Sequence, residues 1–135
     1  MSSAPSSKIP YFLLSALAVA SDQFSKLAVL ESFRFMERLN IVPGFFDLTL
    51  VYNTGAAFSF LADQGGWQKF FFLVLAAVIS LYLARAIWRD DFGRWGKIGA
   101  AMIIGGAIGN VIDRLLYGHV VDFLLFYWQD WFYPA

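Results

Sequence analysis

Apolar residues fall in three long runs with few interruptions, at about 9–30, 70–88 and 98–116. Each approaches the roughly 20 residues that a helix needs to cross a hydrocarbon core of about 30 Å. The pattern therefore predicts a mainly α, integral membrane protein with three transmembrane helices. Residues 31–68, between the first two runs, have a mixed polar and aromatic texture. Pro43-Gly44 reads as a turn, 48–52 as a short strand, 53–55 as a second turn and 56–60 as a returning strand. A small β structure against one membrane face is expected there. After the third run, 120–128 is apolar but too short to span. Asp130 and Pro134 follow, so the tail 119–135 is expected to lie along the interface. The whole reads as one membrane domain.

Composition agrees. Hydrophobic residues make up 59% and charged residues 15%, against roughly 25% charged in soluble domains. Mean hydropathy is +0.60. Ten basic residues balance ten acidic ones, so a nucleic-acid partner has no support. The chain has no cysteine and one histidine, which leaves thiolate chemistry out and predicts no metal site. The loop between the second and third runs carries Arg85, Arg89, Arg94 and Lys97. The positive-inside rule makes it cytoplasmic, together with the N-terminus. Segment 31–68 and the tail then face the other side. Ala18-Val19-Ala20 imitates a signal-peptide cleavage site, but apolar sequence continues to Leu30, which favours an uncleaved first span.

Depth singles out the polar residues. Asp22 lies 13 residues past Ile9 and Asp113 lies 15 past Ile98. At 1.5 Å per residue, both sit roughly 20–22 Å along their helices. Intramembrane charge is costly, so it pairs or marks a functional site. Asp22 and Lys26 share a face at i,i+4, as do Asn110 and Arg114. Asp113 is expected to partner Arg114. Ala101, Gly105, Gly109 and Asp113 form a ridge that lets another helix come close. A structural ion pair and interhelical packing explain these features as well as function does. His119 reads as an interfacial residue. Asp122 stands among apolar neighbours without an adjacent base, a candidate general acid or base.

The residues in combination are more specific. Ser21-Asp22-Gln23-Phe24-Ser25-Lys26, the stretch 51–60 beginning Val51-Tyr52-Asn53-Thr54-Gly55, Gly109-Asn110-Val111-Ile112-Asp113-Arg114 and Gly118-His119-Val120-Val121-Asp122-Phe123 occur in this order. The chain resembles the bacterial lipoprotein signal peptidase family, signal peptidase II. The resemblance implies an aspartyl endopeptidase of the inner membrane that removes signal peptides from diacylglyceryl-modified prolipoproteins. It implies four transmembrane helices, a small periplasmic β cradle, an active site near the periplasmic face and no cofactor. It makes Asp122 one catalytic aspartate. Asn53, Asn110 and Arg114 would line the substrate site, and Asp22, Lys26 and Asp113 would support it. Partners would be prolipoproteins and membrane lipids, with a monomer expected.

The second family aspartate belongs to an F-N-x-A-D motif leading into the fourth helix. Residues 128–135 read Trp-Gln-Asp-Trp-Phe-Tyr-Pro-Ala instead. The expectation is a chain truncated before that motif and inactive alone. The alternative is a catalytically inert membrane protein that binds lipidated peptides. A polar-lined channel ranks last, because no polar path runs through the inner half.

Overall fold

The computed structural model describes residues 7–53 and 67–135. Three long helices carry the membrane-spanning part: α1 (Ile9–Ser32), α2 (Trp67–Trp88) and α3 (Arg94–Tyr117). Their lengths of 24, 22 and 24 residues correspond to about 33–36 Å of rise, enough to cross a bilayer. Leu13, Leu17 and Phe24 on α1 and Phe70, Val74 and Leu81 on α2 are exposed. A lipid environment makes such side chains favourable where water would not.

Helix α3 packs against both α1 and α2. Small side chains make this possible. A Cβ on Gly105 would sit 2.8 Å from the Ser15 carbonyl oxygen and collide with Ala18, so α1 and α3 touch nearly backbone to backbone. The Ser15 hydroxyl donates to the Ala101 carbonyl across this contact at 2.7 Å. Between α2 and α3, Ile87, Ala100, Ala101 and Ile104 form the buried apolar core, with Leu83 and Phe92 packed on it. At the loop end, Asp90 binds Lys8 at 3.1 Å and also Lys97, which ties the start of α1 to the α2–α3 connection.

The other end carries a four-stranded antiparallel sheet in the order β1 (Arg38–Val42), β2 (Phe46–Asn53), β3 (Val120–Trp128) and β4 (Trp131–Pro134). The turn expected at Pro43-Gly44 joins β1 to β2, with Gly44 at φ +80° and the Phe45 amide donating to the Val42 carbonyl. The returning strand expected at 56–60 lies outside the described residues. The tail 119–135, in which the sequence reading places no strand, folds as the β3–β4 hairpin, and β3 pairs along β2. Its run of Val, Phe, Tyr and Trp after Gly118 is a strand signal in composition, and pairing with β2 satisfies backbone groups that an unpaired interfacial strip would leave open.

Asp47 fastens the sheet. It is buried, yet accepts from Arg38 at 2.6 Å, Asn40 at 2.7 Å and the Tyr127 hydroxyl at 3.1 Å. The Arg38 guanidinium also lies over the Tyr127 and Phe132 rings, so one cluster spans all four strands. Burial pushes the Asp47 carboxyl up, but the hydrogen bonds from Asn40, Arg38 and Tyr127 together hold it below the ordinary 3.8.

Two outcomes follow from these contacts. Gly105→Ala is expected to lower the melting stability of the purified protein by about 1–3 kcal/mol through overpacking, while Gly99→Ala, which meets nothing within 4 Å, leaves it unchanged or slightly higher. Because the folded carboxyl of Asp47 titrates low, its contribution is fully present above pH 3.8 and lost as pH falls through the lower folded value. Acid melts should show that step in the wild type, and Asp47→Asn should remove it while lowering stability at neutral pH.

Candidate active site

The polar residues of α1 and α3 meet at one level. The Lys26 ammonium lies 2.8 Å from the Asp22 carboxylate on its own helix and 2.8 Å from Asp113 across the interface. It also reaches the Asn110 side-chain oxygen at 3.3 Å. One cation thus bridges two carboxylates. Gly109 leaves room for this, because a Cβ there would come within 2.8 Å of the Asp22 carboxyl carbon. Lys26 is 4% exposed and Asp113 0%, while the Asp22 side chain keeps 24%.

Gln23 completes the cluster. Its side-chain amide lies 3.0 Å from Asp22, 3.1 Å from Asp113 and 3.1 Å from the Gly109 carbonyl. With two amide hydrogens it serves two of these acceptors at a time. Sequence reasoning passed over Gln23 because a neutral side chain raises no depth argument. Its place beside Asp22, three residues before Lys26, was the available signal.

Asp113 does not take Arg114 as its partner. Successive helical residues point about 100° apart, so neighbours do not face one another. Asp113 turns toward Lys26 and Gln23 and also accepts the Val121 backbone amide at 2.9 Å. That last bond reaches into β3. It fixes the residue immediately before Asp122, which is itself 5% exposed.

Helix α3 delivers the chain to this point by a sharp stop. Gly118 takes a left-handed conformation, φ +81°, and its amide donates to the Arg114 carbonyl at 3.0 Å. Such a conformation disfavours side chains with a Cβ. Two residues later β3 begins, with Asn53 opposite Val120, Tyr52 opposite Val121 and Val51 opposite Asp122. The backbone of Asn53 therefore lies beside the Asp122 strand; its side chain is outside the described residues. His119 stacks on Tyr52 with ring centres 4.1 Å apart.

Arg114 projects from the other side of α3. Its guanidinium lies 4.6 Å from the centre of the Phe72 ring and within electrostatic reach of Asp122, then Asp113. A planar cation held over an aromatic face and next to a buried carboxylate can orient a carbonyl or carboxylate group. Asp122 and Arg114 thus lie within electrostatic reach of each other, beside the cluster of Asp22, Gln23, Lys26, Asn110 and Asp113. Among the described residues no group of three His, Asp or Glu is arranged to hold a metal ion.

Comparison with known proteins gives this arrangement a family. The profile of signal peptidase (SPase) II matches residues 14–135. A lipoprotein signal peptidase of Neisseria gonorrhoeae is 72% identical over all 135 residues, which cover 82% of its length. One from Chromobacterium violaceum is 51% identical over 126 residues, 93% of this chain and 78% of that protein. Among solved structures, a bacterial membrane enzyme determined by the in meso method aligns with a TM-score of 0.72 at 27% identity, over 85% of this chain and 68% of its own. A second such enzyme, at 24% identity, shares the fold with a TM-score of 0.74 over 93% and 81%. The chain belongs to the signal peptidase II family, whose curated relatives are lipoprotein signal peptidases.

Proposed function

We propose that Asp122 is one carboxylate of an aspartyl endopeptidase that cuts diacylglyceryl-modified prolipoproteins before the lipidated cysteine. The observation that carries this reading is the anchoring of Asp122. The Asp113 carboxylate holds the Val121 amide, so the neighbouring Asp122 is fixed relative to α3 and to Arg114. A catalytic carboxylate needs such preorganisation.

In the proposed reaction, one ionised aspartate takes a proton from water, and the water oxygen attacks the scissile carbonyl. The second, protonated aspartate donates to the carbonyl oxygen and later helps protonate the departing amine. That second carboxylate belongs to an F-N-x-A-D motif, which residues 1–135 do not contain. Arg114 and Asn110 orient the substrate backbone, and Asn53 approaches from the paired strand. Lys26 pairs with Asp22 and Asp113, which serve as structural anchors.

The orientation supported by charge places Lys8 and the α2–α3 loop in the cytoplasm, because the loop end carries Arg85, Arg89, Arg94 and Lys97. The sheet and Asp122 then face the periplasm, and the substrate's lipid arrives from the outer leaflet.

Processing of a prolipoprotein by membranes containing the whole protein is the direct test. Asp122→Asn should abolish processing while leaving the melting temperature nearly unchanged; normal processing would overturn the assignment. Lys26→Met should act differently. It leaves the buried Asp113 and the half-buried Asp22 without their cation, at a cost of about 3–5 kcal/mol, and a thermal melt should register the loss before any assay does.

A further inference from the structure

The loop end of the bundle carries an unmatched basic surface. Five cations gather there: Lys8, Arg85, Arg89, Arg94 and Lys97, half of the ten in the chain. Asp90 is taken up by Lys8 and Lys97, and hydrogen bonds from Lys97, then Lys8, hold its carboxyl below 3.8. That pairing leaves Arg85, Arg89 and Arg94, all exposed. Among the described residues none of the three guanidinium groups meets a carboxylate within 4 Å; Arg94 lies over the Trp95 ring at 5.6 Å. Asp91 is the one further acid of the loop.

The surroundings specify the partner. Trp88 is 66% exposed and Trp95 78%, one at the end of α2 and the other at the start of α3. Exposed indoles at the ends of spanning helices sit at the headgroup level of a bilayer. Arg85 lies in the last turn of α2 and Arg89 just past its end, its amide still donating to the Arg85 carbonyl at 2.9 Å, so the two stand one turn apart, with Arg94 across the short loop. A guanidinium presents paired donors that match a phosphate. Anions held at that depth come from the membrane itself.

We propose that Arg85, Arg89 and Arg94 form a binding surface for an anionic phospholipid headgroup, flanked by Trp88 and Trp95. Asp90 has a defined part in it: by engaging both lysines it leaves the three arginines as the available charge. The surface lies at the opposite end of the bundle from Asp122 and does not depend on the peptidase reading.

Native mass spectrometry of the full chain, with phosphatidylglycerol or phosphatidylcholine added in equal amounts, tests this. Wild-type protein should retain phosphatidylglycerol preferentially, and the preference should shrink as salt rises. Each arginine near an anionic surface is worth about fivefold in lipid partitioning. Arg89→Gln and Arg94→Gln should each show a loss of that order, and the triple glutamine variant should lose the preference entirely. Arg34→Gln, on the sheet side, should keep it. Equal retention of both lipids by the wild type would overturn the proposal. So would a triple variant that still selects phosphatidylglycerol, or an Arg34 variant that loses selection as fully. The single variants stay informative if the triple variant does not fold.

Discussion

One buried ammonium organises the sheet-bearing half of this protein. Lys26 stands between Asp22 and Asp113 at 2.8 Å from each, in an environment where an unpaired charge would be prohibitive. Neither carboxylate can leave without exposing the other two charges, so α1 and α3 are locked in both height and rotation. The ridge of small residues below allows the approach, and the ion cluster sets where along that ridge the helices stop sliding. Everything above the cluster inherits this register: the Asp113 bond to Val121, the start of β3, and the sheet that β3 joins.

The sheet has its own fastening and needs it. Leu50, Val120, Val121 and Leu125 are buried, while many other apolar side chains, including Phe126, Trp128 and Trp131, are exposed. Asp47, Arg38, Asn40 and Tyr127 add directional bonds. Ring contacts such as Phe46 with Phe126 and Phe45 with Trp128 run across β2 and β3. Two polar clusters, one between helices and one within the sheet, thus confine a structure whose apolar surface is largely given to lipid.

The helices were legible because lipid demands long uninterrupted apolar runs, and nothing else in a chain of this size produces three of them. The pairing of Asp22 with Lys26 followed from helical spacing alone. The strands were harder. β1 (Arg38–Val42) is exposed throughout, so it shows no alternation of buried and open positions. β3 reads as a near-continuous apolar stretch, which periodicity does not separate from an interfacial segment. The partner of Asp113 was missed for a different reason. Adjacency to Arg114 in sequence suggested a pair, while the helix turns adjacent residues apart, and the true partners come from α1 and from a backbone amide. The four motifs, by contrast, carried the family resemblance, and the described residues of the first, third and fourth meet through Lys26, Asp113 and the Val121 amide.

Gly118 and His119 are all that separates the last residue of α3 from the first of β3. A link so short has no slack to absorb movement. The position of Asp122 is therefore set by where α3 ends, and the helix acts as a ruler. A residue inserted into α3 would carry β3 about 1.5 Å along the helix axis and turn it by about 100°, out of register with β2.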